Sequence, residues 1–121
     1  LERILGISVE EYNEKIQKIY DDTCFMSNLN YTIEHEDFKY LLSFGERIVP
    51  WIINDLKSEK QDWTHILLLA HIIKDDAYIK EKSQDPNLPG RFNNHIEMWL
   101  GWWEQRQREK KFKRIIDKDT E

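Results

Sequence analysis

Four histidines, one cysteine and a surplus of carboxylates are the residues of this chain with chemistry to offer, and their spacing limits its use. His65 and His71 stand six apart, about 120° around a helix, so they lie on different faces and cannot chelate as an i,i+4 pair would. His35 stands among Glu34, Glu36 and Asp37, and a hard-ion or zinc site there would need His95 and Glu97 brought beside it by the fold. The sequence lacks His-x-x-x-His, Glu-x-x-His and clustered cysteine spacings, so the expectation is a capped, solvated helix start with no metal and no cofactor. Cys24 has no base at a supporting spacing and no Gly-x-Ser-x-Gly elbow is present, so nucleophilic catalysis has no motif behind it and Cys24 is expected to be a small packing residue. Gly6, Gly45, Gly90 and Gly101 are too dispersed for a phosphate-cradling loop, which argues against a nucleotide. The carboxylate pairs Glu10-Glu11, Asp21-Asp22 and Asp75-Asp76 are adjacent residues, which point apart on a helix, whereas acid–base work needs two that converge.

The five tryptophans are the main compositional anomaly. Trp63, Trp99 and Trp103 fall at core positions. Trp102 is rotated to another side of its helix, and Trp51 lies off the stripe of Val49, Ile52, Ile53 and Leu56. Aromatic residues outside a core are enriched at interfaces, so Trp51 and Trp102 mark the candidate partner surface. A second candidate is cationic. Residues 106–114 carry six basic residues and one acidic, a local +5 that leaves −10 on the rest of a chain with net charge −5. Arg106, Lys110, Lys113 and Arg114 fall within about 100° of one another on a helix, a stripe suited to an anionic partner. Nucleic acid is disfavoured as that partner: the acidic body repels it, Phe112 is the only interleaved aromatic, and the helix dipole alone favours cations at a C-terminus.

The elements that would position these residues are helices. Ser8-Val9-Glu10-Glu11 is a capping box with Ile7 and Tyr12 as a hydrophobic staple, and Val9, Tyr12, Ile16, Ile19 and Tyr20 continue at helical spacing, which predicts a first helix over 9–26. A second helix over 34–44 buries Phe38, Leu41 and Leu42 and stops at Gly45, since glycine enters the left-handed conformation cheaply. A third over 46–57 carries Pro50 in its first turn and turns Val49, Ile52, Ile53 and Leu56 inward. Asp62 caps a fourth, with Trp63, Ile66, Leu67, Ala70 and Ile73 on one face and Leu68, Leu69 and Ile72 apolar on the other, the pattern of a central helix. A loop over 80–90 follows, with Ala77, Tyr78 and Ile79 packed beneath it. Asn94 then caps a fifth helix carrying Ile96, Trp99, Leu100 and Trp103 inward and running to about residue 116. No strand of useful length is predicted.

The run Glu34-His35-Glu36-Asp37-Phe38, Leu41, Phe44-Gly45-Glu46, Val49-Pro50, Ile53 and Leu56, with Trp63 and Trp99-Leu100-Gly101-Trp102 after it, resembles short bacterial HEAT-like helical-repeat proteins of uncharacterised function, over roughly residues 33–103. The resemblance implies a bacterial or phage origin and a compact stack of antiparallel helix pairs, an architecture used to bind other macromolecules. The start pattern Asp37-Phe38 recurs as Asp62-Trp63, but the Gly-Glu joint does not, so a closed mini-stack is expected rather than an open superhelix.

Composition agrees with one all-α domain of about five helices over 1–121, with a basic helix extension and acidic end over 105–121. Hydrophobic content of 40% beside 34% charged residues supports one core with a solvated exterior. No apolar run nears the ~20 residues of a membrane span, and the single cysteine suits a reducing, cytoplasmic setting. The chain opens on Leu1 without a signal pattern, so its start is expected to be a trimmed end. The functional expectation is a non-catalytic interaction module that binds a protein partner, or a second copy, through aromatic and acidic surface. Nucleic-acid binding through the basic stripe and a small metal-dependent enzyme using His35 are the alternatives.

Overall fold

The computed structural model of the chain describes residues 3–4, 6–25, 28–58, 62–74, 76–84, 86 and 92–119, with backbone alone for 3–4 and 112–119. The described residues are all-α, with seven α-helices where the sequence predicts about five, and the chain forms two compact units, residues 1–74 and 75–121.

In the first unit β1 (Arg3–Ile4) and β2 (Ile7–Ser8) make a two-residue antiparallel ladder around Gly6, whose φ of 94° lies in the left-handed region. This hairpin is absent from the sequence prediction because two residues are too few to show a period. It delivers Ser8 to the start of α1 (Val9–Thr23), where the Ser8 hydroxyl accepts from the Glu11 amide at 3.1 Å. Only that half of the predicted capping box forms. The Glu11 carboxylate instead accepts from the Tyr40 hydroxyl at 3.0 Å.

The single helix predicted over 34–44 is broken at His35 into α2 (Asn30–Glu34) and α3 (Glu36–Leu42). His35 has extended backbone, φ −61° and ψ 135°, so it ends one helix and caps the next. Gly45 has the expected positive φ, 62°, and opens a 3₁₀ turn, Gly45–Ile48, that leads into α4 (Val49–Leu56) with Pro50 in its first turn. Val49, Ile52, Ile53 and Leu56 are all buried, as predicted.

Asp62 caps α5 (Trp63–Ile72). Expected to be apolar on both sides, α5 buries Thr64, His65, Ile66, Leu68 and Leu69, whereas Trp63 and Leu67 are half-buried and Ala70 is exposed. The apolar residues of this helix run nearly all round it, so their period does not choose a face; packing against α1, α3 and α4 does. The core of the unit is Ile7, Tyr12, Ile19, Phe38, Leu41 and Ile48 with the α4 and α5 residues, and each such aliphatic side chain contributes roughly 1.5–3 kcal/mol of burial.

The second unit pairs α6 (Ala77–Lys82), capped by the Asp76 carboxylate on the Ile79 amide, with α7 (Phe92–Asp119). The sequence reading leaves α6 as chain beneath a loop, because six residues are too few for a helical period to emerge. It also starts the last helix too late: α7 begins at Phe92, so Asn94 lies inside it and is no cap. Ile96, Met98, Trp99 and Trp102 are buried. Gly101 lets Tyr78 approach α7 closely: a Cβ there would lie 2.5 Å from the Tyr78 hydroxyl, so a side chain would displace the end of that ring. Pro89 and Gly90 of the predicted loop lie outside the described residues. No helix among the described residues is long and apolar enough to cross a membrane.

Candidate functional site

The chain's acids and histidines are organised first by the joint at His35. Its Nδ1 accepts from the Asp37 amide at 3.0 Å, so Nε2 carries the proton and donates to Asp22 Oδ2 at 2.8 Å, near the end of α1. That bond, with Lys18 3.3 Å from the same oxygen, holds the Asp22 carboxyl below the usual carboxylate range. Two residues on, in the first turn of α3, Asp37 is buried and its Oδ1 accepts from Lys15 Nζ at 3.2 Å, which raises the lysine above its ordinary value. Lys15 also lies 5.3 Å from the centre of the Tyr40 ring. These pairs fasten α1 to α3. Both ring nitrogens of His35 are engaged, and among the described residues no group of three His, Cys, Asp or Glu is arranged to hold a metal ion.

A second network lies inside the first unit. Tyr12 Oη and His65 Nε2 both donate to Asp55 Oδ2, at 2.9 and 3.0 Å, and His65 Nδ1 accepts from the Asp62 amide at 3.1 Å. Burial, and then the Asp55 charge, push the Tyr12 phenol far above its ordinary value. A Tyr–Asp–His set has the residue types of an acid–base relay. Here His65 is fully buried and neither nitrogen is open, so the set ties helices together and offers no group to a substrate.

Of the residues assigned to a partner surface by the sequence, Trp102 is corrected outright. It is 2% exposed, its indole N–H donates to Asp76 Oδ2 at 3.0 Å, and its ring meets Trp99 edge-on at 5.5 Å. Trp103, placed in the core by the sequence, is only half-buried. Trp51 is half-buried with its ring 5.5 Å from that of Tyr12. Arg106 of the basic stripe is half-buried with its guanidinium 5.2 Å over the Trp102 ring, and Lys110 is exposed; the side chains of Lys113 and Arg114 lie outside the described residues. A cavity of about 200 Å³ beside Arg106 is walled by Asp76, Tyr78, Trp102, Gln105 and Glu109. Its walls mix both signs of charge and bring no nucleophile to a base.

The exposed aromatic surface lies at the corner between α1 and α2. Thr23 donates back to the Ile19 carbonyl at 2.6 Å and the Cys24 amide to the Tyr20 carbonyl at 2.8 Å, ending α1; Asn28 Oδ1 then accepts from the Asn30 amide at 2.9 Å and opens α2. Around this turn Phe25 is 88% exposed, Tyr31 53%, Tyr20 47% and Leu29 39%. Cys24, expected to pack, is exposed as well. Asp21, Asp22, Glu34 and Glu36 are exposed beside them, and no Lys or Arg occurs between residues 19 and 38. Sequence reading missed this surface because Tyr20 continues the helical spacing of α1. The available signal was Phe25, which stands off that stripe. Comparison with family models, curated proteins and solved structures gives no match for this chain.

Proposed function

We propose that this chain is a non-catalytic helical interaction module whose binding face is the α1–α2 corner, taking a protein segment that combines apolar and basic residues. The observation that carries the reading is the exposure of Phe25, with Tyr20, Leu29 and Tyr31 exposed along the same turn. Isolated apolar residues on a surface need no explanation, but four within twelve residues, rimmed by carboxylates, form a patch of the kind that partners cover. Aromatic side chains supply large contact area at low entropic cost. The carboxylate rim selects partner charge by complementarity and speeds encounter. The engaged nitrogens of His35 and His65 support the absence of a catalytic role for either histidine.

The test is a titration of the whole chain with a lysine-rich amphipathic helical peptide, followed residue by residue by amide NMR shifts. Shifts concentrated on residues 20–36, and lost in a Phe25→Ala chain that keeps its fold, are the expected result. Saturable shifts centred elsewhere, or none at millimolar peptide, would remove the corner as a binding face.

A further inference from the structure

In α7, Trp102, Gln105, Arg106 and Glu109 stand at i, i+3, i+4 and i+7, so the four share one face of the helix. With Asp76 and Tyr78 they wall the cavity of about 200 Å³, which lies wholly within the second unit. Trp102 holds one charge of each sign there. Its indole N–H donates to Asp76 Oδ2 at 3.0 Å, and the Arg106 guanidinium lies 5.2 Å over its ring. The Asp76 carboxylate is fixed a second time, since its Oδ1 caps α6 by accepting from the Ile79 amide at 3.1 Å. Each oxygen thus accepts one of these bonds, and a carboxylate has about four lone-pair sites, so acceptor capacity remains. A guanidinium likewise has more N–H donors than one partner takes up. Exposed Glu109 adds a second carboxylate, accepting from the Gln105 carboxamide at 3.4 Å.

We infer that this cavity binds a free amino acid, with the ammonium group on Asp76 and Glu109 and the carboxylate on Arg106. Ligands of a single sign are opposed here: an anion meets two carboxylates, and a simple cation meets a guanidinium already seated over the Trp102 ring. A zwitterion meets its opposite at both ends. Size narrows the class further, because about 200 Å³ falls short of the roughly 300–1,000 Å³ of sites for drug-sized ligands, so the occupant has few heavy atoms. Hydrogen bonds between ionised groups are about twice as strong as neutral ones, and bonds already fixing Asp76 and Arg106 against Trp102 reduce the ordering that binding demands. The site is independent of the interaction reading, since the corner at Phe25 belongs to the first unit.

Amide and indole NMR spectra of the whole chain test this, with L-valine and γ-aminobutyrate as probes. The Trp102 indole N–H, bonded to Asp76, and the Gln105 carboxamide report on the cavity. Both resonances are expected to move saturably with at least one of the two amino acids. Isobutylamine, which is valine without its carboxylate, and butyrate, which is γ-aminobutyrate without its ammonium, should each bind at least about tenfold more weakly, the loss of one charge-assisted hydrogen bond. Arg106→Gln and Glu109→Gln should each weaken binding by about the same factor while the spectrum of the first unit stays unchanged. Arg106→Lys, which keeps a cation over the ring, should retain more affinity than Arg106→Gln. Glu109 is exposed, so its replacement tests the site without disturbing the core. No shift at millimolar amino acid, a one-charge probe that binds as well as its parent, or wild-type affinity in either glutamine variant overturns the inference.

Discussion

His65 Nε2 lies 3.0 Å from Asp55 Oδ2, joining the first turn of α5 to the last turn of α4 through an oxygen that also accepts from Tyr12 of α1. Three helices therefore meet at one carboxylate. Removing the acceptor orphans two buried donors, each at roughly 1–3 kcal/mol, so Asp55→Ala should cost about 2–4 kcal/mol in urea unfolding. Tyr12→Phe removes one donor and leaves the acceptor served by His65, and should cost about 1 kcal/mol. Equal, small losses in the two variants would mean that solvent replaces the partners and that the network does not hold the helices.

The same phenol bears on how the fold responds to alkali. Tyr12 is held protonated in the folded state, above its ordinary value of 10.0, and Lys15 is likewise held above 10.5. A folded-state value raised above the unfolded one contributes stability that is complete below the unfolded value and is lost as pH rises beyond it. Stability should thus fall above about pH 10, the Tyr12 proton, retained only by the folded state, steepening the fall by about 1.4 kcal/mol per pH unit. Melting temperatures across this range check it, and Tyr12→Phe should flatten the limb. Asp22 acts in the opposite sense: its lowered value contributes stability above the ordinary 3.8 that is lost as pH falls below it.

Gly45 sits at φ 62° with open space where a Cβ would stand, so backbone strain alone opposes a side chain there. Gly45→Ala should cost roughly 1 kcal/mol, and Gly45→Asn less, because asparagine tolerates the left-handed region. Chemical denaturation of the two variants side by side decides it; an alanine variant as stable as wild type would show that the turn relaxes to negative φ.

Trp102 is read from the sequence as dispensable for stability, and its burial reverses that expectation. Trp102→Ala should cost about 3–5 kcal/mol through the cavity it opens, and should leave one Asp76 oxygen without its indole donor. Trp102→Phe keeps much of the volume and should fall well short of that loss. Thermal melts of both variants compare them directly, and a negligible change in the alanine variant would restore Trp102 to the surface.

Local chemistry made much of this protein legible in its residues. Ser8 and Asp62 cap helices because their oxygens reach orphan amides, Gly45 turns the chain between α3 and α4 because a left-handed φ costs it little, and Val49, Ile52, Ile53 and Leu56 face inward because their period is helical. These effects act over a few residues, so an all-α chain could be read from them. Tertiary structure decided what depends on distant partners. His35 breaks a predicted helix while bonding Asp22, 13 residues earlier; His65 is buried because Asp55 waits for it; and Trp102 is core because Asp76, 26 residues earlier, accepts its N–H. The exposed corner at Phe25 belongs with these. Whether an apolar side chain is covered depends on what the rest of the chain brings over it, and no local period carries that information.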